Sequence, residues 1–300
     1  MPEITATAAG KTAAHGNQRI GPRPVQVGLV GRGIQRSRTP AIHEAEGRAF
    51  GLDLAYRLFD VDEDTDATLP EILNRAEAEG YAGLNITFPF KCDVIEHLDE
   101  MSDAAGRVGA VNTVVFRDGK RRGHNTDLWG FAESFRRGLP GADMSCVLLI
   151  GAGGAGKAVG HALRDLGAAR IVIADQKPDA AATLADEINR TADVPLAEPA
   201  GMLLAAAAEA SGIVNATPMG MAKLPGTPID PDLLEARHWI ADIVYFPLET
   251  EFLKAARARN CQTLNGSGMA VFQAVRAFNL FTGLDADAAR MRATFERLGR

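Results

Sequence analysis

At 300 residues the chain exceeds one ordinary domain and is long enough for two, each with its own core. Its net charge of -6 and pI near 5.6 argue against nucleic acid or an anionic membrane as the main partner, while small anions can still bind a locally cationic pocket. Cys92, Cys146 and Cys261 form no C-x-x-C pair, which argues against a disulfide framework or zinc site and fits a reducing cytosol, and no apolar run approaches the roughly 20 residues of a membrane span.

Residues 1–24 lack periodicity and carry small and polar side chains, so they read as a disordered leader with His15 solvated. No apolar h-region marks a secretory signal there. A strand at 25–30 leads through the loop GRGIQRSRTP (31–40) into a helix over 41–51. A second strand is expected at 55–60, then a helix over 69–80, because Leu69, Ile72, Leu73 and Ala76 fall on one face. A third strand at 83–87 ends in Phe88-Pro89-Phe90-Lys91, and 94–98 has helical spacing. Segments 110–116 and 121–125 make a hairpin around Asp118-Gly119, a strong turn dipeptide, and 127–138 reads as a helix.

The stretch 147–175 is the most informative. Residues 147–150 form a short buried strand, after which Gly151, Gly153 and Gly156 match G-x-G-x-x-G. The first glycine makes the tight turn, the second lets backbone approach a pyrophosphate, and the third permits close helix–strand packing. The helix that follows points its unpaired N–H groups at the phosphates. A strand at 171–174 then places Asp175 at its carboxyl end, about 20 residues on, where a carboxylate can accept both adenosine ribose hydroxyls. A lone glycine motif is weak, but this strand–turn–helix–strand–acid context points to a nucleotide site.

Helices over 179–190 and 201–210, a strand at 212–215, the loop 216–228 and a strand at 239–242 follow. The loop 243–250, a helix over 251–259 and a strand at 262–264 come next. Asn265-Gly266-Ser267-Gly268 then opens a long helix through about 282, before a last helix over 286–298. Strands alternate with helices throughout, the signature of parallel α/β layers, and no solenoid repeat occurs. The expected fold is α/β with two domains. An N-terminal α/β substrate domain (25–127 plus 265–300) receives the returning C-terminal helices, a Rossmann-type nucleotide-binding domain covers 128–264, and the ligand lies in the cleft between them.

Several polar residues fall at expected strand ends: Ser37 and Thr39 after the first, Thr87 and Lys91 after the third, Asn112 within 109–113, and Asp127 closing 123–127. Hydroxyls with backbone N–H groups can hold a carboxylate, and Asn, Asp and Lys can bind the hydroxyls of a polyol. A nicotinamide cofactor requires a group that takes a proton as hydride leaves carbon; Lys91 in a dry cleft, or Lys91 with Asp127 as a paired acid and base, meets that need. Spacing alone equally allows a surface lysine after a proline turn and a helix-capping aspartate. His43, His97, His124, His161 and His238 show no ligand spacing and read as structural or solvated, with His124 nearest the candidate site. No metal is expected. Lys157, in the first turn of the nucleotide helix, reads as solvated although phosphate is within its reach. The Ala-rich run 202–210 needs no cofactor explanation, and no G-x-S-x-G nucleophile elbow occurs.

Eight ordered blocks carry a family resemblance: SRTPAIH (37–43), NITFPFK (85–91), GAVNT (109–113), GHNTD (123–127), GAGGAG (151–156), NATPMGM (215–221), DIVYFPLET (242–250) and NGSGMAVFQA (265–274). After the leader the chain resembles the shikimate/quinate dehydrogenases over nearly its whole length. The resemblance implies reversible oxidation of the C3 ring hydroxyl of quinate or shikimate to the 3-dehydro ketone, with NAD or NADP taking the hydride. It implies that Lys91 and Asp127 are the catalytic pair, the lysine relaying the proton. It further implies that Ser37 and Thr39 hold the substrate carboxylate with help from Tyr245, while Thr87, Asn112 and Gln273 bind ring hydroxyls. Gly151, Gly153, Gly154, Ala155, Gly156 and Asp175 fall where the family binds the dinucleotide, and Thr217, Pro218, Val244, Gly268 and Met269 where it packs the nicotinamide half.

Two departures from the common shikimate dehydrogenase pattern carry information. Thr39 replaces the second serine of S-x-S-P, a change associated with quinate-using members. Ala174-Asp175-Gln176 stands where biosynthetic NADP enzymes resemble N-R-[TS]; Asp175 would repel a 2′-phosphate, so NAD is expected over NADP, with Lys177 as a partial counterweight. SRTPAIHEAEG and GHNTD look most like actinobacterial quinate/shikimate dehydrogenases, which points to a catabolic quinate enzyme, whereas NGSGM is closer to general shikimate dehydrogenases. The competing readings are an NADP-dependent biosynthetic shikimate dehydrogenase and a non-catalytic nucleotide-sensing homologue. The expected setting is cytoplasmic, as a monomer or homodimer.

Overall fold

The computed structural model describes residues 23–63 and 67–298, so the leader reading for 1–22 lies outside the described residues, and the chain is already a strand at Arg23. The first half contains β1 (Arg23–Gly31), α1 (Thr39–Ala49), β2 (Leu52–Asp60), α2 (Leu69–Ala78) and β3 (Gly83–Ile86). A 3-10 turn (Asp93–His97), β4 (Glu100–Met101), α3 (Asp103–Val108), β5 (Thr113–Arg117) and β6 (Lys120–His124) complete it. These strands form one sheet in the order β2-β1-β3-β5-β6-β4. This sheet is mixed rather than purely parallel, as the hairpin expected around Asp118-Gly119 requires. β5 runs antiparallel to β3, and antiparallel to β6 because Asp118 (φ 56°) and Gly119 (φ 68°) make a two-residue turn with both central residues left-handed, which reverses the chain at once.

The second half contains α4 (Thr126–Gly138), β7 (Val147–Ile150), α5 (Gly154–Asp165), β8 (Ile171–Ala174), α6 (Pro178–Asn189) and β9 (Ala197–Pro199). It continues with α7 (Leu203–Glu209), β10 (Gly212–Asn215), a 3-10 turn (Pro231–Leu233), β11 (Trp239–Asp242), α8 (Glu251–Ala258), β12 (Gln262–Leu264), α9 (Ser267–Thr282) and α10 (Ala288–Arg297). Its sheet is wholly parallel, in the order β12-β11-β10-β7-β8-β9. Val147–Ile150, Gly212–Asn215 and Trp239–Asp242 are buried at every position, as expected for strands covered by helices on both faces. The chain leaves the centre in opposite directions from β7 and β10, and the crevice above their carboxyl ends is where such sheets take ligands.

The closing helices return to the first sheet. Val271, Val275, Phe278 and Phe281 of α9 and Met291 and Phe295 of α10 join Val27, Leu29, Leu54 and Tyr56 in one core. Glu46 of α1, fully buried, is paired with Arg290 of α10 at 2.6 Å and accepts from the Asp287 N–H. Helices α4 and α9 meet with almost no side chain between them: a Cβ on Gly130 would stand 2.8 Å from Gln273 N and 2.9 Å from Met269 O. Three short elements, β4, α3 and β9, escape the pattern reading because two to six residues hold too little periodicity to register. The segment 94–98 is a 3-10 turn rather than an α-helix, and the strand expected from 110 begins at Thr113, leaving 110–112 as loop. The helix expected from 41 begins at Thr39, with Pro40 in its first turn, where its missing N–H leaves no partner unsatisfied.

Candidate active site

Parallel strands deliver their following loops to one edge, and in the first sheet β1 and β3 lie side by side. The loop after β1 is shaped by Asp60, at the end of β2, whose carboxylate accepts from Gly33 N and Ile34 N at 2.9 Å each. Burial pushes that carboxyl up, and the backbone N–H groups of Asp62, Gly33 and Ile34 together with the Gln35 side chain outweigh it, holding it below the ordinary range. The loop ends with Ser37 Oγ donating to Thr39 Oγ1 at 3.1 Å, so the two expected carboxylate hydroxyls stand together. After β3, Thr87 packs its methyl against Gly31, and Arg32 N donates to Phe88 O at 3.0 Å, which ties the two loops to each other.

Lys91 follows this turn, and its Nζ donates to Asp127 Oδ2 at 2.6 Å; both side chains are largely buried, at 20% and 10% exposure. Asp127 is therefore not a helix cap. Asn125 caps α4 by accepting from Leu128 N, which frees the carboxylate in the first turn for Lys91. Lys91 is likewise not a freely solvated surface lysine.

A chain of buried amides and hydroxyls fixes the neighbouring Asn112. Tyr56 Oη donates to Asn85 Oδ1 at 2.8 Å, and Asn85 Nδ2 donates to Thr113 Oγ1 at 3.0 Å and to the Asn112 carbonyl at 3.3 Å. Asn112 Oδ1 accepts from Thr126 N at 2.7 Å while its Nδ2 donates to Thr126 Oγ1 at 2.9 Å. Thr126 Oγ1 in turn lies 3.5 Å from Gln273 Oε1, which brings α9 to the same edge. Asn112 thus spends Oδ1 and one Nδ2 hydrogen on Thr126, which fixes the amide and leaves its second Nδ2 hydrogen for a ligand, and Gln273 is half-buried beside it.

On the second sheet, Gly151 has φ 105°, and a Cβ there would come 2.9 Å from the Ala216 backbone; one on Gly156 would overlap the Gly151 carbonyl. Only glycine fits either position. Gly153 has open space where a side chain would go, and the first turn of α5, with Gly154 and Ala155, has no side-chain cap. Asp175 Oδ2 accepts from Ala152 N at 2.7 Å and Oδ1 from Lys177 N at 2.8 Å, so the acid closes the glycine turn from the side. Lys157 pairs with Glu187 at 2.7 Å, correcting its reading as a solvated lysine.

A second network shapes the loops after β10 and β11. Asn215 Oδ1 accepts from Thr217 N and Thr217 Oγ1, and Asn215 Nδ2 donates to Asp242 Oδ1 and to Met219 O, which fixes Pro218 between them. Asp242 also accepts from Val244 N and Thr250 Oγ1; burial raises its carboxyl against those bonds. Val244 and Met269 are buried, and Tyr245 is 45% exposed. Gly268 is explained by packing: a Cβ there would overlap Ser134 Oγ of α4.

The two edges face each other. A Cβ built on Gly154, in the first turn of α5, would come within 3.8 Å of Lys91 Cδ. The glycine turn with the start of α5 and the Lys91–Asp127 pair therefore form opposite walls of one cleft. Asp60, Asn85, Asn215 and Asp242 shape the site without a role expected from sequence, although each is a polar residue at the end of an expected strand or inside one of the family-like blocks. Among the described residues no cluster of His, Cys, Asp and Glu is placed to hold a metal ion, and no helix is long and apolar enough to cross a membrane.

Comparison with known proteins agrees with this arrangement. Residues 29–114 match the shikimate dehydrogenase substrate binding domain, and residues 266–294 the shikimate 5′-dehydrogenase C-terminal domain. A quinate/shikimate dehydrogenase (NAD(+)) of Corynebacterium efficiens is 49% identical over 277 residues, covering 90% of this chain and 97% of the relative. A shikimate dehydrogenase (NADP(+)) of Streptomyces avermitilis is 50% identical over 278 residues, covering 91% and 95%. Among solved structures, quinate dehydrogenase from Corynebacterium glutamicum in complex with NAD superposes with a TM-score of 0.88 at 45% identity, covering 92% of this chain and 99% of that one.

Proposed function

The chain belongs to the shikimate dehydrogenase family, and on that premise we propose that it reversibly oxidises the C3 hydroxyl of quinate and/or shikimate to the 3-dehydro ketone. NAD is the cofactor and supplies the carbon that accepts the hydride. The residues present fit that group. Gly151 and Gly156 leave no room for a side chain, open space at Gly153 admits a pyrophosphate, and the uncapped N–H groups of α5 are the donors it needs. Asp175 uses one lone pair on each oxygen for backbone, and a carboxylate has about four acceptor sites, so two remain for ribose hydroxyls. The NADP reading has a relative of equal identity behind it, and this acid is the feature against it.

We assign the remaining roles from position. Ser37 and Thr39 receive the carboxylate with Tyr245, and Thr87, Asn112 and Gln273 orient the ring through its hydroxyls. As hydride leaves the ring carbon, the hydroxyl proton passes to Lys91 Nζ in its uncharged amine form, and Asp127 holds that nitrogen in place and balances the ammonium charge that results. Gly151, Gly153, Gly154, Ala155, Gly156 and Asp175 carry the adenosine diphosphate half; Thr217, Pro218, Val244 and Met269 wall the nicotinamide half, and Gly268 serves it by bringing α9 close to α4. We divide the chain into a substrate-binding catalytic part (25–127 plus 265–300) and an NAD-binding part (128–264), and place the enzyme in the cytoplasm, as a monomer or homodimer, in quinate catabolism.

The observation that carries this reading is the Lys91–Asp127 pair facing the first turn of α5, where a Cβ built on Gly154 would come 3.8 Å from Lys91 Cδ. It is tested by absorbance at 340 nm when protein meets quinate or shikimate with NAD: the wild type produces NADH, and Lys91→Ala lowers kcat by about 10²–10⁴-fold. Near-normal turnover by that variant contradicts the proton-relay role.

A further inference from the structure

The loop 243–250 spans both halves of the molecule. Ile243 packs against the core of the second sheet and Leu248 against the core of the first, while Tyr245 and Phe246 between them stay half-exposed, at 45% and 50%. Something must hold these two aromatics if Tyr245 is to meet a substrate at a fixed place. Arg38 is the residue that reaches them. It sits between Ser37 and Thr39 at the N-terminus of α1, and its guanidinium carbon lies 5.5 Å from the centroid of Phe246 and 5.0 Å from that of Phe295 of α10. Phe295 in turn lies 6.1 Å, ring to ring, from Tyr245. The Nη1 of Arg38 is buried and has no hydrogen-bond partner among the described residues, so the side chain is held there by the two rings and not by an acceptor.

We propose that Arg38 is a positioning residue: its guanidinium, wedged between Phe246 and Phe295, fastens the 243–250 loop to the Ser37–Thr39 loop and so presents Tyr245 to the substrate carboxylate. A cation over an aromatic face attracts it without needing a directional bond, and the attraction strengthens where the cation is desolvated, as the buried Nη1 is here. The contact bridges the two sheets, so it also sets how far the cleft opens at this end. The Tyr245 phenol reports the same neighbourhood. Desolvation raises it, the charges of Arg38 and Lys91 lower it, and Asp127 raises it.

The role rests on the proposed function only through its kinetic arm. The test combines kinetics with ¹⁹F NMR of protein carrying 3-fluorotyrosine, which has three signals, from Tyr56, Tyr81 and Tyr245, assigned with Tyr245→Phe. In Arg38→Met, which keeps the apolar stem, the Tyr245 signal shifts and its phenol titrates at higher pH, while Tyr56 and Tyr81 stay put. KM for quinate or shikimate rises about three- to tenfold, with kcat within about twofold. Arg38→Lys restores most of both effects, and Phe246→Leu reproduces them with no further loss in the double variant. An unmoved Tyr245 signal in Arg38→Met, or effects of Arg38→Met and Phe246→Leu that simply add, overturns the proposal. A wild-type enzyme that turns over neither acid refutes the substrate assignment instead, and the ¹⁹F arm then decides the role of Arg38 by itself.

Discussion

Lys91 and Asp127 stand 36 positions apart and meet at 2.6 Å only because the turn after β3 and the first turn of α4 open at the same sheet edge. Each was named from the sequence as a polar residue at a strand end, but spacing could not separate the pair from a surface lysine and a capping aspartate. The deciding fact is that Asn125 takes the cap, a competition between two adjacent acceptors that only the backbone path resolves. Asp60 and Asn85 were invisible for the same reason: they act through backbone and amide partners about 27 positions away. Asp175 is the opposite case, legible because it falls at a fixed place after the glycine turn. Replacing it with serine keeps one acceptor for the turn and removes the charge that would face a 2′-phosphate. Close like charges cost several kcal/mol, so Asp175→Ser should raise the ratio of kcat/KM for NADP over NAD by at least about tenfold. An unchanged ratio would place cofactor choice elsewhere.

At the level of elements, the four-residue strands of the second sheet were read almost to the residue, because uninterrupted apolar runs bounded by turn residues are what a doubly covered parallel strand requires. The antiparallel hairpin is legible from Asp118-Gly119, whereas the antiparallel pairing of β5 with β3 has no local signal. The close contact of α4 with α9 was not legible at all, since a glycine on one helix announces no partner on another. The motif puts Gly268 where the family packs the nicotinamide half, and its missing side chain also makes room for Ser134. Gly268→Ala should therefore lower stability by about 1–3 kcal/mol, seen as a drop in Tm, and adding Ser134→Gly should recover most of it. A Tm that stays at the wild-type value, with KM for NAD alone impaired, would return Gly268 to a direct cofactor role.

On the scale of the whole molecule, two sheets with separate cores are joined by α4 and α9 and by the loop 243–250, and the Lys91–Asp127 pair faces the start of α5 across the cleft between them. Burial of histidines gives this assembly a pH dependence. His43 lies among Tyr56, Phe278 and Phe281 with both ring nitrogens unpartnered, and burial lowers its pKa from 6.5 to about 3; His161 is lowered to about 4, again chiefly by burial. A histidine depressed in the folded state binds a proton more readily when unfolded. Its contribution is thus complete above pH 6.5 and is lost as pH falls toward the folded value, at about 1.4 kcal/mol per pH unit. Tm should be level above pH 7 and decline from 6.5 to 4.5, and His43→Leu should decline less steeply than the wild type; identical slopes would mean that His43 is protonated without cost.

The central claim, an NAD-dependent dehydrogenase acting on these hydroxy acids, is tested most directly by kcat/KM for quinate and shikimate, each with NAD and with NADP. Turnover of at least one acid is expected, with a value for NAD at least about tenfold that for NADP, the least that a carboxylate facing a 2′-phosphate should enforce. Equal use of the two cofactors, or a preference for NADP, would contradict it.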